Sequence, residues 1–83
     1  MAERAESQQQ QVRRNYEAFL ARLPQLTAIY PGKFALMRDE EIVAFFDTAR
    51  DAYVAGQVIF ADELFSIQEV LKTPRVFPIL LRA

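Results

Sequence analysis

The sequence predicts a small α+β domain in which a helix, a β-hairpin, a second helix and a third strand build a three-stranded antiparallel sheet packed with two helices. Three observations predict it. Apolar residues recur at spacings of three and four from Val12 to Leu23 and again from Ala49 to Phe60. Between these stripes, and again after the second, lie short runs rich in β-branched and aromatic residues, Lys33 to Phe46 and Phe65 to Val70. A chain of 83 residues has length for one such domain only, near the size where a single core is barely sufficient.

Residues Met1 to Gln11 are polar, with glutamine at positions 8 to 11, and cannot bury a core alone; they are expected to fray or to extend the helix that follows. In that helix Val12, Tyr16, Phe19, Leu20 and Leu23 share one face while Arg13, Arg14, Glu17 and Arg22 point away. Pro24 lacks an N–H and is expected to end the helix or open a short turn, and Pro31-Gly32 breaks the chain. The hairpin turns at Asp39-Glu40. A two-residue loop needs positive φ at both central residues, which Glu40 adopts poorly, so a longer loop is the alternative. With two loop residues Leu36 lies opposite Val43 and Phe34 opposite Phe45 on one face, leaving Ala35, Met37, Ile42, Ala44 and Phe46 on the other. Both faces are then apolar. The second face needs a cover: the N-terminal helix, the C-terminal tail or another copy.

The second helix starts after Asp47-Thr48, where Thr48 and Asp51 have the spacing of a capping box and Asp47 is the alternative cap. Gly56 lies inside its apolar stripe, a position that makes sense where the helix backbone comes close to the sheet. Ala61-Asp62-Glu63 connects to the third strand, which alternates Phe65 and Ile67 against Ser66 and Gln68 and is expected beside the first strand, at an edge. The single domain thus spans 12–72. The tail, 73–83, carries Val76, Phe77, Ile79, Leu80 and Leu81 and is expected to dock on the domain or on a partner.

Composition removes several chemistries. There is no cysteine and no histidine, hence no disulfide, no thiolate ligand and no imidazole base or metal ligand. The net charge is −1, from ten basic and eleven acidic residues, which creates no global attraction for nucleic acid or anionic membranes. Arg13, Arg14 and Arg22 form a small basic face interrupted by Glu17, with no aromatic platform beside it, a weak footprint for nucleic acid. No apolar run approaches the ~20 residues that span a bilayer, and the start lacks the apolar core of a signal peptide, so the chain reads as cytoplasmic.

Three short motifs invite sharper readings. Gly32-Lys33 resembles the end of a phosphate-binding loop, but Thr27 stands where the first glycine belongs and Phe34 where Ser or Thr belongs; a turn glycine beside a solvated lysine fits better. Asp39, Glu40 and Glu41 carry carboxylates without the spacing or glycine of a calcium loop and read as a solvated turn. Phe45-Phe46-Asp47-Thr48-Ala49 is similar to the aspartic protease signature, in which each protomer of a dimer supplies one aspartate to a proton-sharing pair. The helical pattern after Thr48 favours helix capping over that remote reading.

Tyr30-Pro31-Gly32-Lys33-Phe34-Ala35-Leu36, Glu41-Ile42-Val43, Phe46-Asp47-Thr48, Asp51-Ala52, Gly56 and Phe65-Ser66-Ile67-Gln68-Glu69-Val70 together resemble a family of short, uncharacterised bacterial proteins, a domain of unknown function. The resemblance covers about Leu23 to Val70 and implies a small bacterial α+β domain without supplying an activity. The chain departs from it at Glu40, where the family often has glycine, and around Asp62-Glu63.

With no catalytic constellation, no cofactor motif and an excess of apolar surface, the expected function is a non-enzymatic protein–protein interaction module that self-associates. The interface candidates are Met37, Ile42 and Phe46 on the second sheet face and Val76, Phe77, Ile79, Leu80 and Leu81 in the tail. A regulator or inhibitor subunit bound to a different protein is the alternative.

Overall fold

A computed structural model describes residues 6–72. The element order is α1 (Gln8–Ile29), β1 (Phe34–Arg38), β2 (Glu41–Phe46), α2 (Ala49–Ile59) and β3 (Ser66–Glu69). The strands form one antiparallel sheet in the order β2-β1-β3, so α2 carries the chain across β1 from one edge to the other. This is the predicted α+β architecture.

The first helix begins earlier and ends later than its apolar stripe. Ser7 caps it: its Oγ accepts the Gln10 N–H at 3.2 Å while Gln10 Oε1 accepts the Ser7 N–H at 2.8 Å, a complete capping box inside the polar run. The predicted break at Pro24 does not occur, and the helix continues to Ile29. Phe19, Leu23 and Leu26 lie at spacings of four and three, and all pack into one core, so burial on both sides of the proline holds the helix across it. The helix ends at Tyr30, whose N–H donates to Leu26 O at 2.7 Å. Pro31 and Gly32 then occupy the two central positions of a turn closed by the Lys33 N–H on Tyr30 O at 3.2 Å, with Gly32 at φ 81°, as a type II turn requires.

The hairpin loop has two residues, and both are left-handed: Asp39 at φ 53° and Glu40 at φ 69°. The expected register holds only next to this loop, where Met37 opposes Ile42 and Arg38 opposes Glu41. A bulge follows. Leu36 opposes Ala44 instead of Val43, and Phe34 opposes Phe46 instead of Phe45, because Val43 is the extra residue of β2. Beyond the bulge every β2 side chain therefore changes face relative to the bulge-free expectation.

The result is a three-layer stack. α1 covers the face bearing Ala35, Met37, Ile42, Phe45 and Val70. α2 covers the face bearing Phe34, Leu36, Phe46 and Ile67, with Phe65 against it. Gly56 is where α2 comes closest: a Cβ built there would stand 2.5 Å from the Phe65 ring, so only glycine permits this approach. Thr48 caps α2, its Oγ1 accepting the Asp51 N–H at 3.0 Å.

Candidate functional site

Three of the predicted interface residues fall on the sheet, and they do not share a surface. Met37 is 0% exposed in the core under α1, with Ile42 half-buried beside it. Phe46 is half-buried on the opposite face, against α2. The open second face expected from the sequence is thus filled by α1, the first of the three covers considered, and the Val43 bulge sends Phe46 to the other side. Met37 is removed as an interface residue. Val76, Phe77, Ile79, Leu80 and Leu81 lie outside the described residues.

Apolar exposure survives elsewhere. On α2, Ala52 and Gly56 face inward and Val54 and Val58, one turn apart, face outward at 46% and 78% exposure. Ile29 at the end of α1 is 66% exposed, and Tyr30 beyond it stacks on Phe45 with ring centroids 3.8 Å apart.

The most organised polar group is a clamp between α1 and the hairpin loop, which sequence reading missed. Gln11 and Asn15 sit one turn apart on α1 and are both fully buried. Asn15 Oδ1 accepts the Glu40 N–H at 2.7 Å, and Gln11 Oε1 accepts the Asp39 N–H. Asn15 Nδ2 donates to Ser66 Oγ at 2.9 Å and to the Met37 carbonyl at 3.2 Å, tying the clamp to β3 and β1. Gln11 Nε2 donates to Glu6 Oε1 at 2.7 Å. Among the described residues no buried side-chain N or O lacks a partner. One signal was available in the sequence: Gln11 and Asn15 extend the Phe19 side of the helix by one turn each, interrupting an apolar stripe with amides.

Above the clamp, carboxylates surround Arg14. Glu6 takes its Nε at 2.6 Å and Nη2 at 3.0 Å, Glu40 takes Nη1 at 2.7 Å, and Asp39 lies 3.5 Å from Nη2. Hydrogen bonds to Glu6 and then Glu40 raise the Arg14 pKa above the usual arginine value, so this guanidinium stays charged. Arg22 lies 3.7 Å from Glu41. The turn carboxylates therefore face arginines, and two of the three arginines proposed as a basic face are engaged by acids. Among the described residues no group of three His, Cys, Asp or Glu side chains is arranged to hold a metal ion.

A second latch lies at the same end of the sheet, on the α2 side. Arg38 donates both Nη atoms to Asp62, at 2.6 and 3.0 Å, donates to the Leu64 carbonyl at 3.2 Å and lies 4.7 Å above the Phe60 ring. Asp47, the residue behind the protease reading, is exposed and ion-paired with Lys33, and its neighbour Thr48 is occupied in capping α2. A surface depression at the start of α1 is lined by Glu6, Ser7, Gln9, Gln10, Arg13 and Arg14. Among the described residues no helix is long and apolar enough to cross a membrane.

No protein-family model, curated protein or solved structure matches the chain.

Proposed function

We propose that this chain is a small, non-enzymatic protein–protein interaction module that self-associates, and that it belongs with the short bacterial proteins its motifs resemble, in the cytoplasm. The observation that carries the reading is the outward pair Val54 and Val58, left exposed on a helix that packs inward through Ala52, Tyr53 and Gly56. An amphipathic helix normally places its larger apolar side chains toward the core. Here Val54 and Val58 lie on the other side and face solvent. The apolar residues from Val76 to Leu81 add to this surplus in sequence. With both sheet faces closed, contact through the sheet is no longer part of the reading. The outer side of α2 and the C-terminal segment carry it.

Sedimentation of the full chain over a range of concentrations tests this. Association that weakens in Val58→Lys, and again when the chain is cut after Lys72, is the expected result. A monomer at every concentration removes self-association, and recovery of that monomer in a stoichiometric complex with a different protein would favour the regulator or inhibitor reading instead.

A further inference from the structure

The hairpin carries two incompatible registers, and their meeting point is the bulge. Phe34, Ala35 and Leu36 oppose Phe46, Phe45 and Ala44. Continued toward the tip, that register would set Met37 against Val43 and Arg38 against Ile42, leaving a three-residue loop, Asp39 to Glu41. The tip instead pairs Met37 with Ile42 and Arg38 with Glu41, which closes a two-residue loop and forces Val43 out as the extra residue. Val43 is accordingly exposed, while Ile42 packs into the core under α1.

The local chain favours the register it does not adopt. A two-residue loop needs positive φ at both positions, here at an aspartate and a glutamate, whereas the usual three-residue loop needs it at one. The slid register would also pair Val43, with Met37. What opposes these preferences is α1: the two N–H groups of the strained loop, Asp39 and Glu40, are the ones received by Gln11 and Asn15.

We infer that the hairpin tip is a two-state element and that α1 selects the state through Asn15 and Gln11. With α1 docked, the loop is held in its tight form and Ile42 fills the core. When the clamp is lost, the tip slides by one residue. Cross-strand partners share a face, so Val43 then joins Met37 on the α1 side and Ile42 crosses to the α2 side with Arg38. The packing beneath α1 thereby depends on whether α1 is in place, a coupling between helix docking and strand register.

Nuclear magnetic resonance on the isotope-labelled full chain tests this. The unsubstituted chain is expected to show one set of signals, with cross-peaks from the Ile42 methyls to Met37 and none from Val43. Asn15→Ala is expected to add a second set for residues 37 to 44 in which Val43 contacts Met37 and Ile42 does not. Adding Glu40→Gly, which takes positive φ without strain, is expected to return the single original set although the clamp is still broken. A folded Asn15→Ala chain with unchanged Ile42 contacts overturns the inference, as does failure of Glu40→Gly to restore the register. Should Asn15→Ala not fold, deletion of Val43 decides. Removing the extra residue is expected to leave Ile42, Phe45 and Phe46 on their present faces in a folded chain, and a deletion that unfolds the protein or inverts those faces overturns the inference.

Discussion

Gly56 and Gly32 are both required, for different physical reasons, and the same substitution separates them. Gly56→Ala puts a methyl group into the ring of Phe65, which is itself buried and cannot yield freely. Overpacking of this kind costs roughly 1–3 kcal/mol. Alanine's better helix propensity returns about 1 kcal/mol, so a net loss is expected. Urea unfolding should show it, and a Phe65→Leu change in the same chain should recover part of it, because the two sites share one contact. Around Gly32 nothing lies within 4 Å of an added Cβ, yet its φ of 81° penalises any side chain. Gly32→Ala should therefore lose about 1–2 kcal/mol, and no partner substitution should recover it. Rescue of Gly32→Ala by a neighbour, or a gain in stability from Gly56→Ala, would contradict these assignments.

Among the elements, α1 departs furthest from its local signals. A proline inside a helix is about 3 kcal/mol less favourable than alanine, yet Pro24 sits five residues before the end of α1. Because the helix runs through that position and Pro24 is exposed, Pro24→Ala should stabilise the protein by about 1–3 kcal/mol, read as a higher urea midpoint at unchanged slope. A loss would mean that the proline sets the angle at which Leu26 reaches the core. α1 is also divided along its length. Its N-terminal half is fixed by amide hydrogen bonds to the hairpin and β3, its C-terminal half by Phe19 and Leu26. Asn15→Ala removes the side-chain acceptor of the part-buried Glu40 N–H, a cost of about 1 kcal/mol before any slide of the tip is counted.

The whole molecule is a sheet closed on both faces, and that decides where partners can bind. A single sheet with one helix per face buries its apolar residues in two separate cores, each built from a few side chains. Stability is therefore expected to be modest for a chain this short. The outer side of α2 contributes little to either core. Val58→Lys should leave the urea midpoint nearly unchanged, within about 0.5 kcal/mol as for exposed positions generally, while association falls. The same substitution at Leu36 would unfold the domain. A Val58→Lys chain that loses stability without any change in association would place Val58 in the fold rather than in a contact.

What the sequence determined alone was whatever depends on neighbours along the chain. Periodicity placed two helices and three strands in order. Thr48 announced the start of α2, Pro31-Gly32 the turn after α1, and Gly56 the close approach of helix to sheet. The Ser7-Gln10 capping box was not read, because the glutamine run around it looks like a polar extension with no start signal. Only the tertiary structure decided the rest: that α1 passes through Pro24, that Gln11 and Asn15 are buried, that Asp39-Glu40 adopts a loop it disfavours, and that Val43 bulges and so sorts Met37 and Phe46 onto opposite faces. Each of these is set by groups distant in sequence. A buried amide or a strained loop is tolerable only when its partner arrives from another element, and local pattern carries no record of that partner.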